Sequence, residues 1–327
     1  MAKSFDSRFS RRAHMSMDIN AAKAKVGSGR SAVLPERPRE LQDALNRRLY
    51  HPLARRLALL LSHTAVTPNM VSVAGAFLVV AAAVVYVQPF APFAALLGLL
   101  IHMSWHVVDG ADGDLARLTG RSGPKGEIVD GICDYASHVV LYLVLGFHLQ
   151  QAIGPVAWVA TLGAGFSRIV QANHYEALRR QYQWWAYGVP WLRQSSGSGA
   201  EQTGGAQVSG VLSRAYVALA GWLVPDAAAI DSALQDRSGE AAGGVGSGRR
   251  GMESVVRGMA GVLLPPRLLG ANYRTLMLGV SMLAGSPLYY FLYEAVMLNG
   301  VLLVSIARSR RAVVRLGAVV SPLSTRR

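Results

Sequence analysis

Four aspartates fall in two short stretches: Asp109 and Asp112 in HVVDGADGDLARL, and Asp130 and Asp134 in GEIVDGICDY. Their separations are i,i+3 and i,i+4, so on helices each pair shares one face. The intervening LTGRSGPK is short enough to fold the two helices antiparallel and bring the pairs together. Four carboxylates at one level repel one another unless they are protonated or metal-bound. An all-oxygen set suits Mg²⁺ or Mn²⁺, and two such ions about 3.5–4 Å apart would clamp a diphosphate for in-line transfer. The bland reading of the same residues is a polar helix end with solvated acids.

The neighbours of the acids favour the sharper reading. On a helical wheel Asp109, Asp112, Gly113, Ala116 and Arg117 form one face. Gly113 and Ala116 leave room for a flat group against the backbone, and Arg117 supplies a fork for phosphate oxygens. Gly126, Asp130 and Asp134 make the facing stripe, while Asp114 points away and is expected to meet solvent or headgroups.

The elements that must hold this hairpin follow from where charge is missing. The 327 residues are 51% hydrophobic and only 16% charged, yet carry 33 Lys+Arg against 19 Asp+Glu. A soluble domain has about 25% charged residues, and a nucleic-acid binder interleaves its cations along a face or groove. Here Lys and Arg are absent from 57–116, 126–167 and 275–307. Each block accommodates two stretches near the roughly 20 apolar residues that cross a bilayer. The pattern predicts an all-α integral membrane protein with six transmembrane helices at 69–88, 92–113, 127–148, 153–173, 270–286 and 288–307. All cation-rich segments then lie on one side, which places both termini and the acidic hairpin at the cytoplasmic face of a membrane, expected to be a bacterial inner membrane. Carboxylates at membrane depth are costly enough that their default reading is functional.

The flanking regions are less ordered by composition. Residues 1–37 read as a mobile basic cytoplasmic arm without the apolar core of a secretory signal. Within 38–67, leucines at 41, 45, 49, 53, 57 and 60 with arginines opposite predict an amphipathic helix in the membrane interface. The 174–269 segment is expected to be a cytoplasmic or interfacial insertion: an aromatic belt with Trp184 and Trp185, two Gly/Ser-rich linkers, and between them an apolar stretch at 211–235 interrupted by Asp226 and Asp231. Residues 308–327 form a basic cytoplasmic tail. The single Cys133 excludes a disulfide framework and a cysteine-built metal site.

DGADGDLARLTGRSGPKGEIVDGICD resembles the signature of the CDP-alcohol phosphotransferases, D-x2-D-G-x2-A-R-x8-G-x3-D-x3-D, at all its fixed positions: Asp109, Asp112, Gly113, Ala116, Arg117, Gly126, Asp130 and Asp134. Thr67-Pro68-Asn69 at the first span agrees, and the resemblance covers about 65–173, with 270–307 alike in architecture only. It implies transfer of a phospho-alcohol from a CDP-linked donor to a hydroxyl acceptor with release of CMP, in phospholipid biosynthesis. Asp109, Asp112, Asp130 and Asp134 would then hold the metal ions, Asp134 would also be the general base, and Gly113, Ala116, Arg117 and Gly126 would hold the cytidine and diphosphate. A homodimer is compatible with the family. CDP-diacylglycerol with a polar alcohol is the preferred pairing. Thr119, Ser122, Pro124, Glu127 and Cys133 also resemble the choline/ethanolamine branch, whose extra spans this chain lacks.

Other polar residues have weaker claims. Arg168 could bind an acceptor phosphate or simply snorkel, as Arg274 is expected to do. His138 could assist proton transfer but reads better as a structural histidine, and His106 could stand behind a metal ligand. Metal-ligand roles for His102 and His106 require that they face the acids. Glu294 reads as bonded to a neighbouring helix, and Arg179 and Arg180 as headgroup contacts. From other classes, a divalent-cation transporter would spread its acids along a path through the bilayer, and an intramembrane prenyltransferase would place its aspartates in separated helices.

Overall fold

The computed structural model describes residues 38–89, 92–189, 225, 227, 228, 230–232 and 247–325. The N-terminal arm, Asp226 and most of both Gly/Ser-rich linkers lie outside the described residues. All regular structure among the described residues is helical.

The chain enters through a π-helical turn, Asn46–Tyr50, that continues into α1, His51–Leu61. The stripe that packs against the protein is Tyr50, Ala54 and Ala58, whereas Leu49, Leu53 and Leu60 are exposed. The leucine row read from the sequence is therefore split: Leu49, Leu53 and Leu60 face outward, while Leu41 and Leu57 pack partly against the core. Small residues win the inner face because α1 runs close along the next helix but one: a Cβ on Gly110 would lie 3.1 Å from that of Ala54.

Thr67 starts α2, Pro68–Tyr86, with its Oγ1 accepting the Met70 amide at 3.3 Å and Pro68 filling the first helical position. Antiparallel to it runs α3, Phe93–Leu118, brought in closely where Gly98 lies under the Tyr86 ring: a Cβ there would sit 2.6 Å from Cδ1. Two long helices follow, α4, Pro124–Ile153, and α5, Ala157–Tyr187, reversed through Gly154 at φ 71°. Gly146 permits their contact, since a Cβ would come within 2.9 Å of Thr161, and Phe147 meets Trp158 edge to face at 4.9 Å.

Beyond the insertion come α6, Ser247–Gly258, the short α7, Ala260–Leu263, and α8, Ala271–Leu283. A last rod joins α9, Leu288–Leu292, a π-helical turn, Tyr293–Met297, and α10, Leu298–Thr325. Among the described residues four segments are long and apolar enough to cross a membrane: 68–86, 93–118, 125–187 and 288–319. The third is the α4–α5 hairpin. With 13 residues α8 is shorter than the roughly 20 a crossing needs. Phe77, Leu100, Val159, Phe166 and Leu303 are each more than half exposed, an apolar outer surface suited to lipid.

Two expectations about polar and aromatic side chains are overturned. Arg274 does not snorkel: only 3% exposed, it pairs with fully buried Glu294 and donates to Gln171 Oε1 at 2.9 Å. On the long α5 rod Trp184 and Trp185 do not face outward as belt residues would; they are buried in a core with Ile230, Met252, Leu263 and Leu316, where Trp185 Nε1 donates to Asp231 at 2.8 Å.

Candidate metal centre

The acidic hairpin forms because α3 ends sharply. Gly120 adopts φ 66°, letting the Arg121 amide donate to Ala116 O at 2.9 Å and its own amide to Arg117 O at 3.5 Å. Three residues later Pro124 occupies the first turn of α4. The reversal sets the last turns of α3 against the first turns of α4, and carboxylate oxygens of Asp109, Asp130 and Asp134 come within 4.8 Å of one another.

Asp112 stands beside this triad. It is 6% exposed, faces Asp130 and accepts the Ser72 hydroxyl on Oδ2 at 2.6 Å. Asp134 Oδ1 accepts the indole N–H of Trp105 at 3.1 Å, and its backbone carbonyl accepts from Ser137 Oγ at 3.0 Å and His138 Nδ1 at 2.8 Å. The triad contains no His or Cys. Three convergent carboxylates repel strongly without a cation, and their oxygen donors fit a hard divalent ion such as Mg²⁺ or Mn²⁺.

The remaining signature residues line the rim. Gly113 lies under the Arg117 guanidinium, where a Cβ would be 3.5 Å from Nη1, and Gly126 faces Asn69, 3.9 Å from Oδ1 on the same test. Ala116 is half-buried. Arg117 is paired with Asp114, which is buried at 6% and not in contact with bulk solvent as the helical wheel suggested.

The histidines behind the acids are structural in their contacts. His138 is bound to the Asp134 backbone; His106 shares a 2.9 Å hydrogen bond with Thr275 and stacks on Tyr50 at 4.9 Å. His102, 2% exposed, packs against both and reaches no carboxylate. Arg168 donates to Tyr290 OH at 3.1 Å, lies 5.8 Å above the Tyr142 ring and stands 3.7 Å from Glu294. Arg179 and Arg180 share Glu176.

A separate cleft of about 300 Å³ lies among the segment before α1, α5, the 260–267 stretch and α10, with Arg179, Arg267, Arg308 and Tyr175 in its lining. Its two acids are already engaged. Glu40 accepts hydroxyls from Tyr187 and, at 3.2 Å, Tyr182; burial raises its pKa, but these bonds outweigh burial and hold the carboxyl below the ordinary value. Asp43 accepts from Asn272 Nδ2 at 2.6 Å and the Asn46 amide at 2.8 Å. Of its arginines, Arg179 pairs with Glu176 and Arg308 donates to Leu264 O at 2.7 Å.

Sequence reasoning missed Ser72, Trp105 and this cleft. Trp105 lies one turn before Asp109 and so shares its face, a legible signal; Ser72 and the cleft depend on how distant helices meet. The family model described as CDP-alcohol phosphatidyltransferase matches residues 65–190. No curated protein matches the chain.

Proposed function

We propose, from the match of residues 65–190 to the CDP-alcohol phosphatidyltransferase family model, that the chain transfers phosphatidyl from CDP-diacylglycerol to a small polar alcohol, releasing CMP. The observation that carries this is the convergence of Asp109, Asp130 and Asp134 within 4.8 Å on an antiparallel helix hairpin. With Asp112 they would hold one or, better, two divalent ions, whose role when bound is to neutralise the diphosphate and polarise its phosphorus.

The chain's own residues supply the rest. Asp134 is the base that takes the proton of the attacking hydroxyl. Gly113, Ala116 and Gly126 admit the flat cytidine and the diphosphate beside the backbone, and Arg117 exchanges Asp114 for phosphate oxygens. The apolar outer faces of α2 to α5 let the donor's acyl chains stay in lipid while its headgroup reaches the hairpin. We assign the arginine-lined cleft to an anionic, phosphate-bearing acceptor, with Arg168 deeper in the bundle as a further candidate contact. We assign six passes, counting α8 with its flanks, and put both termini and the centre on the cytoplasmic side because the cation-rich segments then share one face. A homodimer is the proposed assembly.

The test is incubation of purified protein with CDP-diacylglycerol, CDP-choline or CDP-ethanolamine and a panel of free and phosphorylated alcohols, reading CMP and lipid product by mass. CMP release with CDP-diacylglycerol and a phosphorylated alcohol is expected. Release only with CDP-choline or CDP-ethanolamine would reverse the donor assignment, and metal flux into liposomes without CMP release would replace the enzyme by a transporter.

A further inference from the structure

We propose that Trp105 is a positioning residue for Asp134, locking one carboxylate oxygen so that the other is presented to the reacting centre; this rests on the base role assigned above. Trp105 is 5% exposed, and a buried indole N–H requires an acceptor. It finds Asp134 Oδ1 at 3.1 Å. The indole is donor only, so this contact cannot reverse its polarity: Oδ1 stays an acceptor and Oδ2 is the oxygen left free of the bond. A hydroxyl in the same place could turn and take part itself.

The indole is also prevented from swinging. His106 stacks obliquely at 4.5 Å between centroids, and His138 abuts it edge to face at 4.7 Å. His138 is pinned to the backbone carbonyl of Asp134, so the wall of the indole's slot and the carboxylate it serves are anchored to the same residue. On the other side Gly75 keeps α2 flat: a Cβ there would already be 3.4 Å from Trp105 Cδ1, and a branched side chain would displace the ring. Asp109 and Asp130 bring further carboxylate oxygens within 4.8 Å of Asp134; a fixed donor on one oxygen holds the carboxylate in a single orientation among them.

The test replaces Trp105 with benzothienylalanine, which keeps the ring's shape and deletes the N–H, alongside Trp105→Phe and Gly75→Val. In the full-length protein in nanodiscs, kcat and donor KM are read from CMP release, Mn²⁺ affinity by electron paramagnetic resonance, and folding by thermal unfolding. Benzothienylalanine is expected to lower kcat and weaken Mn²⁺ binding each by about tenfold or more, with KM within about threefold and the unfolding midpoint unchanged. Gly75→Val should shift kcat in the same direction. Wild-type kcat and Mn²⁺ affinity in the benzothienylalanine protein would overturn the proposal. If the wild type released no CMP from any donor, the function would fall, while the Mn²⁺ comparison would still decide whether the indole orders Asp134.

Discussion

At the α3–α4 hairpin Asp109, Asp130 and Asp134 turn like charges toward one point. Across the bundle Glu294 meets Arg274 and Arg168, while Gln171 spends both amide hydrogens on Glu294 O and Asn299 Oδ1 at 2.9 and 2.7 Å and accepts from Arg274. The triad is half-buried, whereas Glu294, Gln171 and Arg274 are fully buried; charges in either place are costly to desolvate. The second pairs opposite charges, leaving only Glu294 Oε1 without a hydrogen bond and 3.7 Å from Arg168; the first is open, with carboxylate oxygens facing one another and no cationic side chain in the triad. A closed polar cluster fixes how helices meet, whereas an open one of a single sign reserves a place for a counter-ion. This difference in charge pairing separates shape from function in the bundle.

Breaking one cluster should remove chemistry and breaking the other should remove the fold. Asp134→Asn is expected to lower CMP release by about 10²–10⁴-fold, the usual worth of a general base, with thermal unfolding unchanged or raised because repulsion is relieved. Glu294→Ala should instead destabilise by about 3–5 kcal/mol, since it strands the Arg274 charge; unfolding in detergent measures this, and Glu294→Gln should lose less. Mg²⁺ at a hundred times its dissociation constant should stabilise the wild type by about 2.7 kcal/mol, and Asp130→Asn should blunt that gain while Glu294→Gln should not. Ser72→Ala, which frees Asp112 from its 2.6 Å bond, is the mildest: about a tenfold loss of activity or metal affinity. Equal responses of the two clusters to Mg²⁺ would dissolve the distinction between them.

Much of the open cluster was legible in the chain. Spacings of three and four gave the faces, LTGRSGPK gave the reversal, and the glycine that ends α3 and the proline that starts α4 do what those residue types predict. The closed cluster was only half legible. Glu294 reads as a helix-bonded acid, but that its partner is Arg274 depends on how α8 meets the last rod, which no local spacing encodes. The same limit explains α1, where periodicity identified a leucine face but could not say whether it turns to protein or outward. Trp184 and Trp185 show it again, because an interfacial belt and a core beneath an insertion have the same composition. Trp105 was missed although it shares a face with Asp109, since its partner Asp134 lies on the opposing helix.

We assign the open carboxylate cluster as a divalent-metal site where a CDP-linked lipid is cleaved. Its most direct test is CMP release from CDP-diacylglycerol by the purified protein, measured after chelation with EDTA and again after restoring Mg²⁺ or Mn²⁺. Release is expected to vanish with chelation, return with the metal and stay absent in Asp130→Asn. Release that persists in EDTA, or that Asp130→Asn leaves intact, would contradict it.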